Sequence, residues 1–263
     1  MRNPYRENVW LNGVALGSVD ASIVVRPAVE PDVKNNITYI SNAGKSGRRL
    51  TSMLRESKII RVRFSIKGLY NLEERTRVVN DVNGWASAGG VMQISQRLGQ
   101  QINVTCIKYV TPDENMILSD VYELEFEANV CPYWEKSDQI VLSPITDDEA
   151  SGEISIPGTA PTFIEIAVTP TSSTLTSLVV TATSALGTNT ISLSGLSVAA
   201  EATLTIGHDA HGFLTISAGG VSLLDKRSAA SSDDLLVSPG TVAVSFTANT
   251  EVEAIIKARG RWL

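Results

Sequence analysis

The sequence predicts a mainly β protein that is divided into two domains. Most of the 263 residues fall into short runs of alternating or β-branched residues, which favour strands. Turn-forming residues separate these runs every ~8–12 residues, a spacing that is typical of β-sandwiches. The charge also shifts along the chain. Residues 1–136 hold 17 basic and 15 acidic residues, whereas residues 137–263 hold 5 and 13. This shift indicates two domains.

The first domain is predicted to cover residues 1–142 and to resemble a β-sandwich. Its clearest strand is 59–66, where the period of two places four apolar residues on one face and Arg61 and Arg63 on the other. Three further runs show a comparable pattern of alternating or β-branched residues. They cover residues 22–25, 102–107 and 121–127.

One segment of the first domain, at about 72–87, is predicted to be a helix. Asn71 is a suitable N-cap, and Glu73 and Glu74 follow where the helix dipole favours negative charge. The apolar residues of the segment recur at helical spacing, and Gly89 is placed to end the helix. We expect this apolar stripe to cover a face of the sheet.

The second domain is predicted to be a β-sandwich at residues 159–263, after a linker at 143–158. The linker prediction rests on Pro144, Pro157, Gly152 and Gly158 and on the acidic run 147–149, because such residues seldom occupy a packed core. The predicted strands that follow are 163–169, 178–183, 189–193, 202–206, 213–217, 242–247 and 252–258.

The residues of this chain favour a structural protein over an enzyme, with no cofactor and no bound metal. Two cysteines and two histidines are too few for a usual zinc site, and His208 and His211 are expected in a hairpin loop. Gly44-Lys45-Ser46 lacks the earlier glycine of a phosphate-binding loop. No run is long enough to span a bilayer, and no apolar stretch follows the first residues, so we expect assembly in a cytoplasm.

The most unusual segment is an extended basic arm at about 32–58. It contains few large apolar residues for its length, so it is poorly suited to a domain core. No aromatic platform accompanies its charge, which argues against sequence-specific binding of nucleic acid. We predict that the arm contacts another copy of the chain through the basic residues Lys45, Arg48, Arg49 and Arg55.

The order of these segments resembles the distal tail protein family of long-tailed, siphovirus-type bacteriophages. The resemblance covers nearly the whole chain and depends on order and spacing rather than on one sharp motif. It begins with the glycine- and arginine-containing arm, which precedes strand 59–67 and the helix. The later motifs are the run 125–134 ending in Cys131-Pro132-Tyr133-Trp134, the segment 158–163, Ser238-Pro239-Gly240 and the segment 259–263.

The resemblance implies a virion protein of the phage tail tip, or baseplate, that is assembled in the host cytoplasm. Members form one or two homohexameric rings that contact the tail tube protein and the tail-associated hub or lysin. Their second domain is a galectin-like β-sandwich that can carry receptor-binding proteins for host attachment. Membrane insertion is not implied.

The alternative is a carbohydrate-binding module that recognises host-surface glycans. Such sites usually stack a sugar on an exposed aromatic ring. Because Trp262 is the only tryptophan of the second domain, the sequence favours the structural role. A glycosidase would need two facing carboxylates, and no such pair is evident.

Overall fold

The computed structural model describes residues 7–30, 35–40, 49–55, 57–111, 121–128, 132–209 and 213–263. The chain divides into two compact units, Met1–Trp134 and Glu135–Leu263. Both units are built mainly of antiparallel strands, as the sequence predicts. Side chains are described throughout these ranges except at 35–40, 49–55 and 142–150.

The first unit contains one curled antiparallel sheet and one helix. Its strands run in the order β2-β1-β7-β8-β9-β6-β3, whereas β4 and β5 form a separate two-stranded sheet. The helix is α1 (Leu72–Ser87). The strands are β1 (Val9–Leu11), β2 (Val14–Ala15), β3 (Ile23–Val25), β4 (Asn35–Ile40), β5 (Arg49–Arg55), β6 (Lys58–Ile66), β7 (Gly90–Ile94), β8 (Gln100–Lys108) and β9 (Tyr122–Ala128).

The core of the first unit lies between the apolar face of this sheet and α1. Strands β6 and β9 pair from Lys58↔Ala128 to Phe64↔Tyr122, and their alternate residues are buried. Helix α1 begins where predicted, because the Asn71 side chain accepts a hydrogen bond from the Glu73 N–H at 2.9 Å. Its buried stripe consists of Arg75, Val78, Val79, Val82 and Ala86. The single predicted helix is therefore confirmed.

The second unit is an antiparallel sandwich with the sheet order β14-β13-β19-β12-β15-β16-β17. Strand β11 also pairs with β19, and β18 pairs with β12. The strands are β10 (Trp134–Lys136, at the unit boundary), β11 (Ile140–Ile156), β12 (Thr162–Pro170), β13 (Leu175–Ser184), β14 (Gly187–Val198), β15 (Leu204–His208), β16 (Leu214–Ala218), β17 (Val221–Ser222), β18 (Leu236–Val237), β19 (Gly240–Ala258) and β20 (Arg261–Trp262).

The long strand β19 organises the second unit. Every even-numbered residue from Val242 to Ala258 except Ala248 is buried, so one face of the strand contributes to the core over almost its full length. Along one edge, β19 pairs with β11. Along the other edge it pairs first with β13, at residues 243–248, and then with β12, at residues 252–258. It therefore joins three strands that precede it in the chain.

The structure differs from the predicted linker at 143–158. Most of that segment belongs to β11, which pairs with β19 from Ile140↔Ala258 to Ile156↔Gly240. The pairing shifts register between Leu142 and Ile145, so Pro144 lies at a bulge, where it need not donate a ladder hydrogen bond. The boundary between the compact units lies earlier, after Trp134.

Candidate functional site

The described part of the arm is an antiparallel hairpin made of β4 and β5. Its register runs from Asn35↔Arg55 at the base to Ile40↔Arg49 at the far end. At about 3.3 Å per residue, Arg49 and Arg55 are separated by roughly 20 Å along β5. Lys45 and Arg48 lie outside the described residues. The predicted basic residues are thus distributed along the hairpin, and their contact with another copy remains a prediction.

A partly buried polar cluster forms around Glu30 and Lys58, which lie on either side of the hairpin in the sequence. We call Glu30, Lys58, Arg97 and Trp134 the Glu30 cluster. Lys58 Nζ lies 2.6 Å from Glu30 Oε2, and Trp134 Nε1 donates to the same oxygen at 3.0 Å. Arg97 donates to both oxygens of the carboxylate, at 2.7 Å to Oε1 and 3.2 Å to Oε2. The carboxylate is therefore held by donors from three separate parts of the chain.

Sequence reasoning did not find the Glu30 cluster. Its members are distant in sequence: Glu30 is separated from Arg97 by 67 residues and from Trp134 by 104. The one local signal is the position of Glu30 and Lys58, which flank the apolar-poor arm as a pair of opposite charges.

Two opposing effects act on the ionisation of Glu30. Burial alone would raise the pKa of this carboxyl group. The hydrogen bonds from Arg97, Lys58 and Trp134 favour the ionised form, and the net result is a pKa below the usual glutamate value. Glu30 is thus held as a carboxylate in the folded protein, which links the stability of the first unit to pH.

We expect Glu30→Gln to destabilise the first unit by about 3 kcal/mol at neutral pH, because Lys58 would lose its buried counter-charge. Since the Glu30 pKa is lowered on folding, its contribution is complete above the unfolded pKa and is lost as pH falls through the lower, folded value. The difference between parent and variant should therefore shrink on acidification. Urea unfolding at pH 6 and pH 3, followed by tryptophan fluorescence, measures this.

The control is Glu123→Gln, whose carboxylate pairs with Arg63, 40% exposed, rather than with a buried cation such as Lys58, 2% exposed. Its effect should stay below about 1 kcal/mol at pH 6. A Glu30→Gln penalty that is equally large at both pH values would contradict the linkage.

The outer face of β6, β8 and β9 carries paired charges. Arg63 Nε lies 2.6 Å from Glu123 and Arg61 Nε lies 3.1 Å from Glu125, while Lys108 Nζ lies 3.6 Å from Glu125. These carboxylates therefore have cationic partners on a partly solvated sheet face. The arrangement does not resemble an acid/base pair.

The segment at 260–263 lies against the start of β12 in the second unit. Main-chain N–H groups of Thr159 and Ala160 donate to the Arg261 carbonyl at 2.8 and 3.1 Å. Arg261 Nε donates to Glu135 at 2.7 Å, and Gly260 accepts from the Lys136 N–H at 2.9 Å. Two of the motifs behind the family resemblance, 158–163 and 259–263, are thereby brought together.

Of the two histidines, the structure describes His208, whose surroundings are not those of a metal ligand. His208 stacks on Phe163 with ring centroids 3.9 Å apart, and burial lowers its pKa, so the neutral imidazole is favoured. His211 lies outside the described residues. Within the described ranges, no group of three or more His, Cys, Asp or Glu residues could hold a metal ion. Burial also raises the pKa of the Cys106 thiol, which makes it a poor nucleophile.

None of the helices in the described ranges has the length and apolar character needed to cross a membrane.

Comparisons with known proteins agree with this architecture. No protein-family model matches the chain, and no curated protein matches it. Among solved structures, the crystal structure of the SPP1 Dit (gp 19.1) protein superposes with a TM-score of 0.68 at 13% identity, covering 98% of this chain and 99% of that one. That protein is described as a paradigm of the hub adsorption apparatus in phages that infect Gram-positive bacteria.

Two structures of the phage p2 baseplate in its activated conformation also match. The strontium-bound structure has a TM-score of 0.45 at 10% identity, over 96% of this chain and 97% of the other. The calcium-bound structure has a TM-score of 0.46 at 10% identity, over 97% and 98%. The match to the SPP1 Dit protein extends over nearly all of this chain and shows a shared fold.

Proposed function

We propose that this chain is a structural protein of a phage tail tip, where copies form a hexameric ring between the tail tube and the adsorption apparatus. The observation that carries the proposal is the match to the SPP1 Dit fold over 98% of this chain. A match of this extent includes both units. The proposed role is assembly, and it requires no catalytic group.

In this proposal, the first unit forms the ring and the arm reaches the neighbouring copy. Residues 35–55 include four basic and no acidic residues, so the hairpin favours an acidic surface on its partner. Repeated head-to-tail contacts of this kind generate a closed ring when the rotation that relates successive copies adds up to a full turn. The strand edges of β4 and β5 can add main-chain hydrogen bonds to such a contact.

The remaining partners follow from the same position in the virion. One face of the ring would contact the tail tube protein, and the other the tail-associated hub or lysin. The second unit would lie on the outside and support receptor-binding proteins. The ring would assemble in the host cytoplasm and would not read the sequence of the DNA that passes through it.

Replacing residues 36–52 with a short Gly–Ser linker tests the role of the arm. The main sheet of the first unit pairs without β4 and β5, so the variant should stay folded with nearly parental thermal stability. It should nevertheless fail to form rings or to enter tails. Sedimentation velocity and electron microscopy, with and without the tail tube protein, distinguish these outcomes. Unfolding of the variant would place the arm in the core.

A charge-matched comparison tests the basic residues. Arg49→Glu combined with Arg55→Glu should weaken ring association about tenfold or more, with the loss largest at low salt. Lys67→Glu combined with Lys108→Glu makes the same change in net charge at two exposed positions of the first unit, outside the hairpin, and should associate like the parent. Equal effects from both variants would show that only net charge matters.

A further inference from the structure

We propose that Glu30 is the positioning residue of the arm: its carboxylate fixes the direction in which the β4–β5 hairpin leaves the first unit before another copy binds. The inference rests on the proposed role of the hairpin as an inter-subunit contact. The inference explains how the two-stranded hairpin is held in one orientation relative to the residues at its base.

Two neighbouring contacts join the chain segments on either side of the arm. Val29 and Arg61 exchange main-chain hydrogen bonds, each 2.9 Å long. Glu30, the residue after Val29, forms an ion pair at 2.6 Å with Lys58, three residues before Arg61, so the contact runs diagonally between the two chain segments. The 27 residues from 31 to 57 are thus closed at the base by both backbone and side-chain contacts.

The ion pair is itself immobilised by its surroundings. Lys58 is 2% exposed and Trp134 is fully buried, so neither side chain can move without opening the core. Arg97 donates bidentate hydrogen bonds to the carboxylate through two of its nitrogens, and this geometry resists rotation of the glutamate side chain. Four donated contacts reach this carboxylate, three of them at Oε2 and one at Oε1.

A polar cluster at this position is better explained by the single arrangement that it specifies than by the free energy that it contributes to folding. Buried ion pairs often contribute no more free energy than well-packed apolar residues, and their best-attested role is to specify one arrangement among several. A hairpin that is held in one orientation before binding loses less freedom on association, so it binds more tightly through the same contacts. Glu30 can both specify one arrangement and limit the freedom that the hairpin loses on binding. It does so because its carboxylate links the base of the hairpin to Arg97 and to the buried Trp134.

The orientation of the hairpin can be measured with paired spin labels. We would place them at Ser52→Cys on β5 and Ser87→Cys at the exposed end of α1, in a Cys106→Ser, Cys131→Ser background. In the free monomer, Glu30→Gln should make the distance distribution at least about twice as broad as in the parent. Its ring association should be about tenfold weaker, which corresponds to about 1.4 kcal/mol.

The matched control is Tyr122→Phe. It removes the buried hydrogen bond from Arg75 Nη1 to the Tyr122 hydroxyl, 3.1 Å long, and so weakens the same unit away from the hairpin base. The control should lose stability while keeping the parental distance distribution. Arg97→Lys keeps the charge but removes the bidentate hydrogen bonds, and it should give an intermediate width. It also serves as the test variant if Glu30→Gln does not fold.

Parental widths in the folded Glu30 or Arg97 variants would overturn the inference, as would equal broadening in Tyr122→Phe. These results are distinct from a failure of the proposed function. If the parent and the arm-replacement variant associate alike, the hairpin is not the assembly contact, whereas the label widths still report whether Glu30 orients it.

Discussion

Replacing Trp134 with Ala is expected to destabilise the first unit by about 3–5 kcal/mol, the range for truncating a large buried aromatic residue. Trp134 is fully buried and donates its indole N–H to Glu30 at 3.0 Å. The guanidinium of Arg97 and the ammonium of Lys58 lie 5.4 and 5.7 Å from the ring centroid. The substitution therefore removes apolar burial, one hydrogen bond and two cation–π contacts. Urea unfolding followed by far-UV circular dichroism measures the loss.

Trp134→Phe separates these contributions. It retains most of the aromatic volume but removes the N–H donor, so it should cost about 1–3 kcal/mol. Trp262→Phe is the comparison in the second unit, where the indole is only partly buried, and it should leave the first transition unchanged. A Trp134→Ala loss below about 1 kcal/mol would mean that the cluster is not part of the cooperative core.

Gly158→Ala should destabilise the second unit by about 3 kcal/mol or more. Gly158 has φ +133°, a conformation that residues with a Cβ rarely adopt. A Cβ at this position would also collide with the main chain of Arg261. The segment 260–263 would then be displaced, together with the bonds from Thr159 and Ala160 to the Arg261 carbonyl. Thermal unfolding of the purified chain measures the effect.

The matched control for this substitution is Gly187→Ala. Gly187 has a similar φ of +120°, but no atom lies within 4 Å of the position that its Cβ would occupy. It should therefore show the backbone strain alone, about 1–3 kcal/mol. Equal losses at the two positions would indicate that close approach of the main chain at Gly158 is unimportant.

The elements that sequence reasoning predicted well are those whose pattern is local. The alternation in 59–66 defines β6, and the cap at Asn71 together with the helical stripe defines α1, because each signal lies within the element itself. The β-rich second domain is evident for the same reason. The arm at about 32–58 also stands out locally as a long apolar-poor segment between two strands, but its contact with another copy stays a prediction.

The predictions that failed or were missed depend on contacts between distant residues. Pro144 and the acidic run at 147–149 are ordinary signals of a linker, yet β19 supplies a full-length partner for that segment and the bulges accommodate its irregularities. Likewise, nothing near Glu30 in the sequence indicates that Arg97 and Trp134 will bind it. Tertiary pairing overrides local preference in the first case and creates the site in the second.

The position of β19 has a consequence for how the protein is made. A ribosome delivers β11, β12 and β13 well before β19, the strand that pairs with all three. Until β19 emerges, those strands leave edges without their final partner, and exposed edges of this kind invite pairing with other chains. The strand order β2-β1-β7-β8-β9-β6-β3 of the first unit, by contrast, contains no strand later than β9 and can form earlier. Newly synthesised chains should therefore pass through an intermediate with a folded first unit and an open second one, the stage most vulnerable to aggregation.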